Sequence, residues 1–297
     1  MTAIAQVQVA RLQEALDGVG YLADDELATV LHLATTMGRP LLLEGEPGTG
    51  KTALAEALAE ANGLELIRLQ CYEGIDASQA LYDWDFPRQI LHLRTLEATA
   101  GQGRGGLEAE EAEKSLYDER FLLARPVLRA LRSSPAVLLI DEIDRADDEF
   151  EAFLLEVLST WSVSVPELGT ITAARPPYVV LTSNRTRELH DALKRRCLYH
   201  WLDHPSLTRE IEIIRTRLPE VAPRLAEQVA DAVQRMRGAG LVKPPGVAET
   251  LDWTEALHRL GADELDLESA ARTLGAVVKY REDTDRVRGL LDRMLAG

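Results

Sequence analysis

The residues best suited to chemistry lie in one eight-residue run, Gly45-Glu46-Pro47-Gly48-Thr49-Gly50-Lys51-Thr52. Its spacing, a glycine and then Gly-Lys-Thr after four intervening residues, is typical of a loop whose backbone N–H groups surround phosphate oxygens. The run follows an apolar segment, Leu41–Leu43, and opens a predicted helix, Thr52–Ala61, whose N-terminus attracts anions. We expect Lys51 to neutralise the β- and γ-phosphate oxygens and the Thr52 hydroxyl to bind Mg²⁺. The sequence therefore predicts a site for ATP with Mg²⁺.

Two adjacent carboxylates follow a second apolar run. Asp141 and Glu142 come directly after Val137–Ile140, which reads as a buried strand. Open α/β sheets bind their ligands beyond the carboxyl ends of the strands. We expect Asp141 to hold Mg²⁺, directly or through water, and Glu142 to polarise the attacking water as a general base. Without the phosphate loop, the pair would fit the solvated start of a helix equally well.

Three further side chains are candidates that also have ordinary explanations. Asn184 follows another predicted strand, Tyr178–Leu181, and from its end can reach the γ-phosphate or the attacking water. It also fits a turn, where asparagine is common. Arg195 and Arg196 close a short helix, where basic residues usually compensate the helix dipole. Alternatively, one of them stabilises the charge of the transition state, often from a neighbouring subunit.

The order of predicted elements gives the fold class. Four apolar runs predict strands separated by segments that can supply crossover helices: Leu41–Leu43, Leu64–Leu69, Ala136–Ile140 and Tyr178–Leu181. Helical patterns precede and follow them, at Val7–Leu16, Glu26–Met37, Leu207–Leu218, Val221–Met236, Val247–Leu260 and Leu267–Tyr280. We predict an α/β nucleotide-binding domain with a parallel sheet over residues 1–205 and an all-helical lid over 206–297.

Two segments are longer than sheet crossovers need. Residues 71–125 contain Leu81–Phe86 and Gln89–Leu93, whose alternation predicts a hairpin, followed by a glycine-rich and then acidic run over 101–113. We predict a projecting hairpin and a helix with a flexible tip. Residues 161–173 predict a second hairpin, just before the last strand.

Composition bounds the partners and the location. The net charge of −16 argues against nucleic acid as the main partner, because binding to a phosphate backbone needs clustered Lys and Arg. No apolar stretch approaches the roughly 18 residues of a membrane span, and Met1–Val9 lacks a secretory signal, so we expect a soluble, cytoplasmic protein. Cys71 and Cys197 are far apart and lack nearby ligand residues, which indicates neither a disulfide nor a zinc site.

Taken as a set, these motifs resemble the AAA+ ATPases. Within them, the run Asp141-Glu142-Ile143-Asp144-Arg145-Ala146 with its following helix, the insertion after the second strand and the hairpin before Asn184 resemble the MoxR family, over about residues 20–295. The stretch Leu193–Trp201 is similar to the branch encoded beside aerobic carbon monoxide dehydrogenase and related molybdenum hydroxylases.

The resemblance implies roles for individual residues. Gly45–Thr52 would be the Walker A loop, Asp141 and Glu142 the Walker B pair, and Asn184 sensor 1. Arg196 matches the arginine finger best and Arg195 is the runner-up, because one residue of helix rotation decides which side chain faces the neighbour. Tyr21 occupies the region that usually lines the adenine site.

The resemblance also implies partners: a hexameric ring that remodels a metalloenzyme client, assisted by a protein with a von Willebrand factor A domain. Because the insertions are larger than the sheet crossovers need, we expect the projecting hairpins to be client or pore contacts. One departure is that residues 245–253, where many AAA+ proteins carry a sensor 2 arginine, contain none. This favours, as an alternative, a nucleotide-gated docking module with slow, incidental hydrolysis. A DNA-directed motor is a third possibility, which the net charge disfavours.

Overall fold

A five-stranded sheet is present in the computed structural model, which describes residues 3–100, 114–133 and 135–295. Its strands are β1 (Leu41–Glu44), β2 (Glu65–Gln70), β5 (Ala136–Asp141), β8 (Tyr178–Ser183) and β9 (Leu198–Trp201), in the order β2-β5-β8-β1-β9. β2 and β8 both pair with β5 in parallel, and every residue of β5 is buried. This explains why β5 is a continuous apolar run: both of its faces are covered.

The remaining strands form two small antiparallel sheets, β3 (Tyr82–Trp84) with β4 (Leu122–Ala124), and β6 (Ser162–Val165) with β7 (Gly169–Thr172). The first seven described helices are α1 (Ala3–Gly18), α2 (Asp25–Met37), α3 (Lys51–Ala61), α4 (Ala77–Leu81), α5 (Phe86–Ala100), α6 (Pro126–Arg132) and α7 (Asp148–Thr160). Six more follow: α8 (Asp191–Arg196), α9 (Leu207–Arg217), α10 (Pro223–Arg237), α11 (Val247–Arg259), α12 (Leu267–Val277) and α13 (Arg281–Leu295).

The chain divides into two compact units, each with its own apolar core. One unit comprises residues 30–42 and 62–199, and its core packs the strands β2, β5 and β8 against α6 and α7. The other comprises residues 1–29, 43–61 and 200–297, and its core lies among α9 to α13 around the fully buried Trp253. The predicted boundary between residues 205 and 206 stays a prediction.

The predicted α/β class with a parallel sheet is confirmed, as are the four strands and the hairpin at 161–173. The predicted hairpin of Leu81–Phe86 with Gln89–Leu93 is wrong. β3 pairs instead with the distant β4, and Gln89–Leu93 lies within the helix α5. Asp85 caps that helix, accepting a hydrogen bond from the Arg88 N–H at 3.1 Å. The predicted tip at 101–113 lies outside the described residues.

Several elements were not predicted, among them α4, α6, β4, β9 and α13. The strand β9 is only four residues long and directly follows a basic helix end; its Leu198 N–H donates to the Pro40 carbonyl at 2.8 Å. The helix α13 is mostly charged and buries few apolar side chains, among them Val287 and Leu291. Within the described ranges, no helix is long and apolar enough to cross a membrane.

Candidate functional site

The phosphate loop is shaped by glycines and by its own lysine. Gly48 and Gly50 have positive φ angles of 79° and 95°, a backbone region that favours glycine. A Cβ on Gly45 would overlap the Leu202 carbonyl oxygen. The Lys51 ammonium donates to the carbonyls of Gly45 at 2.8 Å and Glu46 at 2.7 Å. Lys51 is therefore held within the loop that leads to α3.

The loop also contacts the start of α11 within the same compact unit. The Val247 N–H donates to the Gly48 carbonyl at 2.8 Å, and a Cβ on Gly246 would lie 2.6 Å from the Gly48 Cα. Glu249 accepts a hydrogen bond from the Gly246 N–H at 3.0 Å, which completes the first turn of the helix. The two backbones can approach this closely because neither Gly48 nor Gly246 has a side chain.

Tyr21 lies beside the phosphate loop. A Cβ built on Gly50 would be 3.9 Å from the Tyr21 ring. Burial is the main reason that the pKa of the Tyr21 hydroxyl is raised, and the carboxylate of Asp24 adds to the shift. This places an aromatic ring next to the loop. That Tyr21 lines an adenine site stays a prediction.

The helical region near the loop contains a buried ion pair. Arg237 donates two hydrogen bonds of 2.7 Å to Glu210, with side chains 9% and 0% exposed. Thr250 donates to the same carboxylate at 2.8 Å, and the Arg237 Nε donates to the Pro245 carbonyl at 2.8 Å. This network fixes the turn that precedes Gly246. Arg237 is thus a structural residue of the helical region, and the start of α11 has no arginine.

His204 is an unusual residue in this unit. Its Nδ1 is buried and has no hydrogen-bond partner within the part of the chain that the structure describes. Burial lowers the pKa of His204, and the nearby Arg237 lowers it further, while Glu210 and Glu46 oppose the shift.

In the other unit, Asp141 lies at the end of β5 and is almost completely buried. The Thr182 hydroxyl donates to its Oδ1 at 2.5 Å, and the Arg68 guanidinium forms an ion pair with its Oδ2. The Glu142 N–H in turn donates to the Thr182 hydroxyl oxygen at 2.9 Å. One threonine on β8 therefore organises both acidic residues.

Glu142 adopts a left-handed backbone conformation, with φ 55° and ψ 50°. Its Oε2 accepts hydrogen bonds from the Gln70 amide at 3.2 Å and from Arg145 at 3.1 Å. This conformation turns the chain directly after β5. The Glu142 side chain is held there by Gln70, at the end of β2, and by Arg145, three residues further along the chain. Arg145, the partner of Glu142, has an exposed side chain.

Asn184 lies in a loop that Asp144 holds in place. The buried Asp144 carboxylate accepts from the Asn184 N–H at 3.3 Å and from the N–H and hydroxyl of Thr186 at 2.8 and 2.7 Å. Three donors thus attach the segment after β8 to the segment after β5. Asn184 and Glu142 belong to adjacent, mutually braced loops.

Arg195 and Arg196 lie in the last turn of α8, as predicted. Arg39 fixes this helix end. Its guanidinium donates to the carbonyls of Arg195 at 2.7 Å, Arg196 at 3.1 Å and Cys197 at 3.3 Å. A cation at this end also satisfies the unpaired carbonyls and the helix dipole.

Sequence reasoning missed Arg68, Thr182, Asp144 and Arg39 as parts of these sites. Thr182 and Asp144 stand beside recognised motifs and carried a weak signal. Arg68 and Arg39 lie in ordinary strand and turn positions, and only the fold brings them to Asp141 and α8. Cys71 and Cys197 are free and buried, and burial raises the pKa of each thiol to about 12.

The donors suit a magnesium-bound nucleotide chemically. Mg²⁺ takes oxygen ligands, usually one or two from the protein together with waters and phosphates. The Asp141 carboxylate and the Thr52 hydroxyl are oxygen donors of that kind. The phosphate loop supplies a cation and backbone N–H groups for the phosphates.

The parallel sheet and the glycine-rich loop that opens α3 define a P-loop nucleotide-binding protein. A family model described as AAA domain (dynein-related subfamily) matches residues 40–197, which is more than half of the chain. The chain belongs to this AAA family.

Known proteins with similar sequences include midasin of Dictyostelium discoideum, 32% identical over 143 residues, which are 48% of this chain and 2% of midasin. The uncharacterized protein YehL of Escherichia coli (strain K12) is 29% identical over 176 residues, 56% of this chain and 41% of YehL. The chain thus spans less than half the length of either relative. The match to a solved structure of the Thermotoga maritima RuvB Holliday junction branch migration motor covers 93% of this chain and 69% of the RuvB chain, with 17% identity and a TM-score of 0.43.

Proposed function

We propose that this chain is an ATPase that binds ATP with Mg²⁺ through Gly45–Thr52 and hydrolyses it with Glu142 as general base. The observation that supports this most directly is the setting of Glu142. A non-glycine residue in the left-handed region costs roughly 1–2 kcal/mol. Such strain is concentrated at functional sites, where the surrounding structure enforces it. Here the enforcing contact is the hydrogen bond from the Glu142 N–H to the Thr182 hydroxyl.

The other residues take the roles that their chemistry suits. Lys51 neutralises phosphate charge, and Thr52 and Asp141 hold Mg²⁺, which when bound reduces the negative charge on the phosphates. Asn184 orients the γ-phosphate or the attacking water. Arg196, or Arg195 one position earlier, stabilises the transition state from a neighbouring subunit.

Phosphate release from ATP, measured with Mg²⁺ and with a chelator, tests the ATPase proposal. Lys51→Ala should weaken binding of a fluorescent ATP analogue by about tenfold or more and abolish turnover, because it removes the charge from the phosphate loop. Lys279→Ala is the matched control, since that ammonium donates to backbone carbonyls at the end of α12. Equal turnover in Lys51→Ala and wild type would contradict the proposal.

We further propose a hexameric ring in the manner of the MoxR family, acting on a metalloenzyme client together with a von Willebrand factor A domain protein. The insertion supports a role in client contact. On α5, Phe86, Ile90 and Leu91 are between 54% and 66% exposed, beside the exposed Arg88. Exposed apolar side chains grouped on one element mark protein contact sites more often than chance surface exposure does.

The neighbouring genes provide the test for this part of the proposal. If they encode a metalloenzyme and a von Willebrand factor A domain protein, the three purified proteins should give an ATP-dependent gain of metalloenzyme activity. Phe86→Ser with Leu91→Ser should reduce that gain while basal phosphate release stays the same. A gain that needs no ATP, or is unaffected by both changes, would contradict it.

A docking module with slow hydrolysis is the second candidate. The contacts of Glu142 favour it, because Gln70 and Arg145 both bind the carboxylate oxygen that a general base would use. Complex formation that is equally good with ATP and a non-hydrolysable analogue, with no change in the client, would support this alternative.

A further inference from the structure

Arg68 is an arginine on β2 that no motif includes, and it lies over the carboxylate of Asp141. The register aligns Arg68 with Leu139 and Gln70 with Asp141 on the adjacent strand β5. From there the Arg68 guanidinium reaches the Asp141 Oδ2, and its Nη2 also donates to the Gln70 Oε1 at 2.7 Å. The Asp141 side chain is 5% exposed and that of Arg68 is 50% exposed. Arg68 therefore covers the solvent side of a buried carboxylate.

The charge of Arg68 bears directly on any metal at Asp141. Asp141 Oδ1 already accepts from the Thr182 hydroxyl, which leaves Oδ2 as the oxygen that the guanidinium binds. A guanidinium and a hydrated Mg²⁺ are both cations and repel each other strongly at contact distance. Consequently, Mg²⁺ reaches this oxygen more easily when the guanidinium moves away.

Arg68 is able to move. Its side chain is long and half-exposed, so its head can enter solvent while the stem stays on the sheet. The pairing of β2 with β5 does not depend on it, because the two strands are aligned over six residue pairs. A second ion pair, Arg129 with Glu65, also connects β2 to the neighbouring helix α6.

We propose that Arg68 is an exchangeable counter-ion of Asp141, which Mg²⁺ displaces and which thereby sets the metal concentration at which the site fills. This rests on the proposed role of Asp141 as a magnesium ligand. Arg68 is then a positioning residue that stays paired with the buried carboxylate until the metal arrives.

The experiment measures metal binding directly and needs no turnover. Mn²⁺, a paramagnetic substitute for Mg²⁺, is titrated into the full chain saturated with ADP, and free metal is read by electron paramagnetic resonance. Arg68→Ala should lower the Mn²⁺ dissociation constant by about fivefold, which is the size expected for a half-exposed ion pair. Arg68→Lys, which keeps the charge, should stay within about twofold of wild type.

Two further variants separate the possible failures. Arg129→Ala removes an arginine from the other ion pair of β2 and should leave the dissociation constant unchanged. Asp141→Asn should raise the Mn²⁺ dissociation constant. An unchanged constant in that variant would overturn the assignment of Asp141 as a magnesium ligand. A raised constant in Asp141→Asn with an unchanged or raised constant in Arg68→Ala would overturn only the role of Arg68. Thermal unfolding confirms that each variant is folded, and Arg68→Gln replaces Arg68→Ala if the latter is not.

Discussion

Gly48 in the phosphate loop and Gly246 before α11 are in direct backbone contact. The Gly48 carbonyl accepts the Val247 N–H at 2.8 Å, and neither glycine has room for a methyl group. The start of α11 is therefore attached to the loop by a main-chain hydrogen bond, within residues 245–253, which contain no arginine. Nucleotide binding and the position of α11 should consequently be coupled.

Gly246→Ala tests this coupling. The added methyl group would lie 2.6 Å from the Gly48 Cα, and overpacking of this kind costs about 1–3 kcal/mol. We expect a lower melting temperature and about tenfold weaker binding of a fluorescent ATP analogue.

Gly275→Ala is the matched control, because a methyl group there meets nothing within 4 Å and the residue lies inside α12. Replacing a glycine inside a helix by alanine should stabilise the protein by about 0.5–1 kcal/mol and leave binding unchanged. Normal binding in Gly246→Ala would show that the contact has no part in the nucleotide site.

Asp144→Ala tests whether Asp144 supports Asn184. Its removal leaves three donors of the loop after β8 without their acceptor. Because Asn184 is half-buried and Thr186 is exposed, water partly replaces the carboxylate, and each lost hydrogen bond costs about 1 kcal/mol. We expect the free energy of unfolding, measured in urea, to fall by about 2–4 kcal/mol. Phosphate release should fall about tenfold, while ATP binding changes little.

Asp148→Ala controls for the loss of a carboxylate nearby. Asp148 is 80% exposed and pairs with Arg187, a contact worth less than about 1 kcal/mol. If the two variants lost the same stability and activity, Asp144 would have no special role.

The sequence predicts the strand-loop-helix of residues 41–61 and the strand ending in Asp141 because buried strands and glycine loops follow local rules. The structure of the insertion at residues 71–125 was harder to predict from the sequence. Gln89–Leu93 has an alternation that fits a strand, and only the Asp85 cap reveals the helix. Arg68 and Arg39 were beyond sequence reasoning, because their partners lie 73 and more than 150 residues away.

Arg39 should matter to Arg196, the proposed arginine finger, although the two residues lie far apart in the sequence. Its three hydrogen bonds hold the last turn of α8, from which Arg196 projects. Arg39→Ala should reduce phosphate release about fivefold without weakening ATP binding, because a loosened helix end misplaces the finger. Arg39→Lys makes fewer of these hydrogen bonds than wild type, so its rate of phosphate release should lie between those of wild type and Arg39→Ala.

Mixed subunits test whether Arg196 acts across an interface. Arg196→Ala and Lys51→Ala subunits, each inactive alone, should recover part of the activity when mixed, since each supplies what the other lacks. No recovery from subunits that still assemble would place the finger elsewhere, with Arg195→Ala as the next variant to mix.

His204 should make the stability of the protein depend on pH. Because the pKa of His204 is lowered in the fold, the unfolded chain takes up this proton first, as the pH falls below about 6.5. The contribution of His204 to stability is therefore present above that pH and is lost as the pH falls toward the lowered pKa.

His204→Gln, which cannot take up the proton, should show a smaller drop in melting temperature between pH 7.5 and pH 5.5 than wild type does. His258→Gln, on α11, is the control and should keep the wild-type drop. An equal drop in all three proteins would show that His204 is not buried as a neutral group.

The ATPase account depends most on Glu142, and Glu142→Gln tests it with the least disturbance of structure. The amide keeps the shape and the left-handed backbone but cannot accept a proton. We expect ATP binding within about twofold of wild type and steady-state phosphate release reduced by at least about 100-fold. Glu156→Gln, an exposed residue of α7, should release phosphate at the wild-type rate. Turnover in Glu142→Gln equal to that of wild type would contradict the account.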